Sequence, residues 1–308
     1  MTNITIEQFA DSFGINQNEL PVSCLDYIKT HNFNYITLDK QERDNLILAI
    51  IRRIDSDQQV IGAPKRTDEW ENGWAYNLKA FRESNHNMNS LIPKFIRPGQ
   101  CIRFMGDYIL PENSNFEYDY MTVFRLWLFE KYFKDFQYVH EFGCGTGLNL
   151  VLLNKIFPNK EFHGLDFVKS AVDLVNEISH TQQININGHL FDMLNPDYSY
   201  PILENSVVMT FGAIEQLASK IEPMINFLLI KKPKLVVHIE PTIELYDPNT
   251  LFDHLAMAFH KKRGYTQGLL PRIQELDASG KAKLLKVKRL NFGSLFMEGY
   301  MYYIWQPV

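Results

Sequence analysis

The sequence predicts an α/β protein: a mostly parallel sheet with helices on both faces, preceded by a mainly helical amino-terminal region. Three observations carry this. Short apolar runs recur at 138–142, 161–165, 188–191, 206–211 and 234–240, with helical stretches such as Val168 to Ile178 between them. That alternation is the pattern of parallel βαβ units. Between the first run and an apolar helix former, Leu148 to Leu153, lies Glu141-Phe142-Gly143-Cys144-Gly145-Thr146-Gly147. Strand, glycine turn and helix in this order aim backbone N–H groups and a positive helix end at a ligand. Upstream of residue 118 the alternation is absent, and apolar residues return instead at helical spacing.

Within residues 1–117, Asp39-x-x-Glu42 forms a capping box, and Ile47, Ile50, Ile51 and Ile54 follow on one face. Arg43, Arg52 and Arg53 occupy the other face. A second helix, Asp68 to Ser84, carries Trp70, Trp74, Leu78 and Phe81 on one stripe, which reads either as core packing or as an aromatic lid over a substrate. Pro93 and Pro98-Gly99 break the chain, a strand is expected from Cys101 to Phe104, and Asp119 to Phe133 reads as an aromatic-rich helix. The region is expected to cap the substrate side of a cofactor domain spanning 118–308.

In that domain the fourth strand is Ser206 to Phe211, and the fifth, Leu235 to Glu240, stops at Pro241. Residues 242–282 exceed a normal strand–helix connection and read as a helical insertion, with a helix from Thr250 to Lys262 stopped by Gly264. Two last strands, Leu284 to Leu290 and Tyr300 to Trp305, joined through Asn291-Phe292-Gly293, read as a closing antiparallel hairpin.

Composition bounds the function. Apolar residues make up 45 % of the 308 and charged ones 22 %, ordinary for a chain that buries a core. A net charge of −5 gives no general attraction to nucleic acid or anionic membrane. Cys24, Cys101 and Cys144 are too few and too scattered for a disulfide framework or a zinc site. Met1 to Glu7 lacks the regions of a signal peptide, and no apolar run could span a bilayer, so a cytoplasmic enzyme is expected.

The glycine stretch also discriminates between cofactors. A dinucleotide loop wants its third glycine at position 148, where Leu148 stands. Phe162-His163-Gly164-Leu165-Asp166 ends a second strand in an acid about 20 residues further on, where a carboxylate can accept ribose hydroxyls. Gly188 to Met193 ends a third in Asp192. An acid before G-x-G-x-G, with strand, helix and acid recurring, resembles motif I and its sequel in the class I S-adenosylmethionine-dependent methyltransferases. That resemblance implies a Rossmann-like methyltransferase sheet of seven strands, mostly parallel, with an antiparallel C-terminal hairpin, and S-adenosyl-L-methionine as cofactor. It implies that Gly143, Gly145 and Gly147 cradle the methionine end and that Glu141 holds its amino group through water. Asp166 would take the ribose, Asp192 the adenine amino group and Met193 the ring face. Phe167 and Phe211 complete the implied cofactor set.

Several subclasses are set aside. The fourth strand ends in Phe211-Gly212-Ala213, not in the Asn/Asp-Pro-Pro-aromatic of adenine amino methylation; Asn195-Pro196-Asp197-Tyr198 lacks the second proline and follows the wrong strand. No cysteine follows a proline, as cytosine C5 chemistry requires, and Glu240 alone does not make a magnesium site, so a metal-independent reaction is expected. A softer resemblance, through Ala213-Ile214-Glu215-Gln216, Arg263-Gly264-Tyr265 and Gly299 to Pro307, points to bacterial methyltransferases of surface-polysaccharide and natural-product pathways.

The leading expectation is methyl transfer to an oxygen or nitrogen of a small polar acceptor, such as a sugar or a natural-product intermediate. Peptide or protein side-chain methylation and a non-catalytic cofactor-binding partner are the alternatives. Acceptor-side groups should lie at the ends of the fourth and fifth strands. Glu240 is the first candidate for the base; His238, two residues away on the same strand, and Glu215 follow, with His254 of the insertion in reserve.

Overall fold

The computed structural model describes residues 1–61, 66–94 and 96–308, the side chain of Arg66 excepted. The chain begins with β1 (Thr2–Asn3), α1 (Ile6–Phe13), α2 (Val22–Thr30) and β2 (Asn34–Thr37). It continues through α3 (Lys40–Ser56), α4 (Arg66–Glu83), β3 (Ile102–Phe104) and β4 (Asp107–Pro111) to α5 (Phe116–Tyr132). The expected capping box starts α3: the Asp39 side chain accepts the Glu42 N–H, and Glu42 returns the bond to the Asp39 N–H.

The alternating part follows as β5 (Tyr138–Phe142), α6 (Leu148–Ile156), β6 (Glu161–Asp166), α7 (Lys169–Gln182), β7 (Ile186–Leu190), β8 (Ser206–Phe211), α8 (Glu222–Lys231) and β9 (Leu235–Ile239). Then come α9 (Leu251–Arg263), α10 (Leu269–Ala278), β10 (Ala282–Lys288), β11 (Phe292–Gly293) and β12 (Tyr302–Pro307). A seven-stranded sheet runs in the order β10-β12-β9-β8-β5-β6-β7. Its five inner-to-edge strands β5 to β9 are parallel, and β12 and β10 join antiparallel. Every residue of β9 is buried, as a parallel strand covered on both faces requires. The strand order reverses between β5 and β8, so their carboxyl ends part and leave a crevice there.

The amino-terminal region adds what periodicity did not reveal. Its short strands form a second, antiparallel sheet, β1-β2-β4-β3-β11. The last member comes from the far end of the chain. β10 and β12 form the expected antiparallel hairpin, and the link between them is an excursion that pairs Phe292 and Gly293 with β3. Gly293 permits it, since a Cβ there would lie 2.4 Å from the Met297 carbonyl oxygen. The two regions share one core. Phe9 stacks on Tyr120, Phe13 on Trp127, and Tyr120 on Phe292, with Tyr302 against Trp127.

The insertion divides by role. Leu269, Ile273 and Leu276 of α10 cover the large sheet beside Tyr303 and Trp305, whereas Phe252, Leu255 and Phe259 of α9 pack on Ile47, Ile50 and Ile54 of α3. Charges lock α9 in place. Arg289 pairs with Asp253 and Glu298, each at 2.6 Å. Fully buried Arg103 meets Asp253 at 3.3 Å and lies 3.4 Å over the Phe252 ring. Two cations answer two anions, and removing one partner strands a buried charge. Glu298→Gln should therefore lower the unfolding free energy by about 3 kcal/mol or more. Breaking the exposed Arg43–Asp107 pair with Arg43→Ala should cost less than about 1 kcal/mol. Denaturant titration of both variants checks the contrast.

Candidate functional site

The glycine turn is built by close approach. Past β5 the N–H groups of Gly143 and Cys144 both donate to the Leu165 carbonyl, at 2.7 and 3.1 Å, so the loop curls over the end of β6. Gly143, Gly145 and Gly147 all have positive φ, at 73°, 51° and 73°. A Cβ on Gly143 would lie 2.3 Å from the Ala213 Cβ, and one on Gly145 would lie 2.8 Å from the Trp74 ring. Gly147 caps α6. The Gly145 N–H donates to Asp166 Oδ2 at 3.0 Å and the Val168 N–H to Oδ1 at 3.2 Å. Burial nevertheless pushes the Asp166 carboxyl up to about 6 against those bonds.

A cavity of about 630 Å³ opens on this turn. Glu141, Asn149, Arg125, Glu117, Phe211 and Tyr300 line its inner wall; Trp70 and Trp74 of α4, Pro93, Lys94, Ile96, Arg97 and Gln100, the end of α3 and Phe259 of α9 line the outer one. The inner wall is a chain of polar contacts. Arg125 Nε donates to Asn149 Oδ1 at 2.7 Å, and Asn149 Nδ2 donates to Glu141 Oε1 at 2.6 Å. Tyr300 donates to Glu117 Oε1 at 2.8 Å. Arg125 Nη1, Glu117 Oε2 and Glu141 Oε2 are buried without a hydrogen-bond partner among the described residues. Desolvation raises Glu141 to about 8 and Glu117 to about 7, and lowers the Arg125 pKa. Incompletely bonded buried groups of this kind on residues that line a cavity call for an explanation, and a ligand that draws them out supplies one.

Of the residues singled out from sequence, Glu141, Gly143, Gly145, Phe211 and Glu215 line this cavity. Gly147 lies behind it, a Cβ there meeting Val175. Asp166, Phe167, Asp192 and Met193 stand at the ends of β6 and β7, outside its lining. There α4 crosses the turns: Trp74 covers Gly145, and Glu71 takes the Ser170 N–H and hydroxyl. Asp192 holds the Leu194 N–H and the Asn195 amide, each at 2.8 Å. Met193 Cε sits beside the glycine turn.

The structure does not bring the expected acceptor-side trio together. Glu240 is buried and accepts the N–H groups of Ala213, Ile214 and Glu215, at 3.1, 3.1 and 3.3 Å, so its carboxylate fastens the turn after β8. His238 shares the Glu240 face but is fully buried, bonded to Thr210 Oγ1 at 2.9 Å and packed against Tyr303 and Trp305; burial lowers it to about 3. His254 is exposed on α9. Only Glu215 reaches the cavity.

Arg125, Glu117 and Tyr300 were missed. The available signal was charge in the wrong place: α5 is buried on all sides from Phe116 to Phe129, yet carries Glu117 and Arg125 eight residues apart.

No family model matches the chain, and no curated protein matches it. Solved structures do. The [4+2]-cyclase SpnF superposes with a TM-score of 0.51 at 11 % identity, covering 81 % of this chain and 99 % of that one. A SAM-dependent methyltransferase from Aquifex aeolicus is similar at 13 % identity and TM-score 0.41, covering 59 % and 87 %. The geranyl diphosphate C-methyltransferase of Streptomyces coelicolor A3(2) is similar at 12 % and 0.45, covering 76 % and 98 %.

Glu240→Gln should behave as a folding variant. Its amide replaces one acceptor oxygen, leaves an N–H of the 213–215 turn unpaired and should cost about 1–3 kcal/mol. Denaturation midpoints compared with His254→Ala, expected near wild type, check it. The chain thus has the Rossmann-like methyltransferase fold, and its chemistry has to be argued from its own side chains.

Proposed function

We propose that this chain binds S-adenosylmethionine and directs its methyl group to an oxygen or nitrogen of a small polar acceptor. The observation that carries the reading is the inner wall, where Glu141, Arg125 and Glu117, each with a buried polar atom unpartnered among the described residues, line one cavity at the glycine turn. Their chemistry fits the cofactor. Glu141 offers an acid to an ammonium and Arg125 a guanidinium to a carboxylate, the complement of a zwitterionic amino-acid end. The positive φ of the three glycines keeps Cβ atoms out of the cradle. When bound, the cofactor supplies a methyl group on a sulfonium, a carbon already activated for in-line displacement.

The protein's part is then position and proton transfer. Phe211 and Glu215 border the acceptor side, and Glu117 lies on the same wall, its Oε2 buried and unpartnered among the described residues. Raised to about 7, Glu117 is matched to accept a proton near neutrality, and Tyr300 orients it through the other oxygen. A walled cavity of this size favours a small acceptor over a protein side chain.

Calorimetry should show S-adenosylhomocysteine binding and no nicotinamide dinucleotide binding, with Glu141→Ala weakening the former about tenfold. Nicotinamide binding without the sulfur compound would overturn the reading.

A carboxylate base makes turnover depend on pH. Below about 7 the Glu117 carboxyl is protonated and takes no proton; above it the carboxylate does. Turnover on an acceptor found by screening with labelled cofactor should rise with pH through about 7 and then level. Glu117→Gln should lose about 10²–10⁴ in rate and keep cofactor affinity. A variant with wild-type turnover would remove Glu117 from the reaction.

A further inference from the structure

The outer wall of the cavity carries its own pattern. Arg53 at the end of α3, and Lys94 and Arg97 in the stretch before β3, line it together with Arg263 of α9. Arg263 is spoken for: it pairs with Asp57 at 2.8 Å and donates to the Tyr265 hydroxyl. Lys94 Nζ stands 3.0 Å above the Tyr76 ring, a contact that leaves its hydrogen-bonding capacity open. Arg53 and Arg97 make no side-chain hydrogen bond and no ion pair within 4.0 Å among the described residues; Asp57, whose charge Arg53 also favours, and Glu69 line the same wall and leave the cations in excess. The chain as a whole is acidic, at −5, so a cluster of cations at one cavity mouth is not a by-product of composition.

We propose that this outer wall is an anion subsite and that the acceptor is a phosphate ester, anchored there by Arg53, Arg97 and Lys94. Three cations from two separate stretches of chain exceed what one carboxylate, satisfied by a single bidentate arginine, can answer. They suit the two or more charges of a phosphate or diphosphate. The amino-acid end of the cofactor has its own guanidinium in Arg125, on the inner wall. Between the walls, Trp70, Phe259 and Phe296 give an apolar body room to lie. Calling the anion the acceptor's rests on the methyl-transfer reading; the subsite itself does not.

The test uses the full chain in phosphate-free buffer of low ionic strength, titrated by calorimetry with pyrophosphate, with succinate, and separately with S-adenosylhomocysteine. Pyrophosphate should bind at least about tenfold more tightly than succinate. The variant Arg53→Ala/Arg97→Ala, altered only at exposed positions, should lose about tenfold or more of that affinity and hold S-adenosylhomocysteine as the wild type does. Absent pyrophosphate binding, equal binding of succinate, or undiminished binding in the double variant would overturn the subsite. Pyrophosphate binding as expected, in a chain that does not take S-adenosylhomocysteine, would support the subsite and overturn the cofactor reading alone.

Discussion

Everything at this site depends on one close approach, that of the turn after β5 to the turn after β8. Gly143 has no Cβ, and Ala213 occupies the space where one would be. Ala213 stays there because Glu240, past the end of β9, gathers the N–H groups of residues 213–215 onto its carboxylate. The strands meet at the point where their order reverses, so the crevice that the topology leaves open is framed by this contact. Glu240 thus matters to the site through the turn it holds. It sets the position of Phe211 and Glu215 on one side and of the glycine turn on the other.

The sheet was legible in the sequence because parallel strands buried on both faces are short, apolar and separated by helices. The observed strands β5 to β9 fall within about two residues of the expected runs. The glycine turn was legible for a different reason, since its backbone tolerates no side chain. The use of a buried strand's polar residues was not. His238 and Glu240 do share the face that the period of two gives them, both beside Thr210 and Tyr303, but that face is packed. Polar residues in a strand covered on both sides are satisfied by whatever lies across, here Thr210 and a turn of N–H groups. The small sheet was hidden for a third reason: its strands are two to five residues long, and one is supplied from the far end of the chain.

The stripe on α4 shows how a single periodic pattern divides between two fates. Leu78 and Phe81 enter the core, whereas Trp70 and Trp74, stacked with ring centres 5.3 Å apart, line the cavity. Core packing holds for the inner turns of the helix, while Trp70 and Trp74 stand on the cavity wall, where an aromatic lid would need them. The helix can serve both because Arg82 clamps Glu177 of α7, fixing its inner end while the aromatic end overhangs the glycines.

The inner wall carries a stability cost that explains its design. Glu117, Arg125 and Glu141 are at least nine-tenths buried, and each leaves a polar atom unanswered. Such groups disfavour the folded state by a few kcal/mol together unless a ligand completes them. The aromatic stack of α1 on α5 offsets that cost at the same helix: Phe9, Phe13, Tyr120 and Trp127 lie on the side opposite the cavity and are wholly buried. The two faces of α5 are therefore coupled by necessity. A helix that must hold a glutamate and an arginine away from water has to be anchored by something stronger than its own propensity, and the amino-terminal aromatic residues provide that anchor.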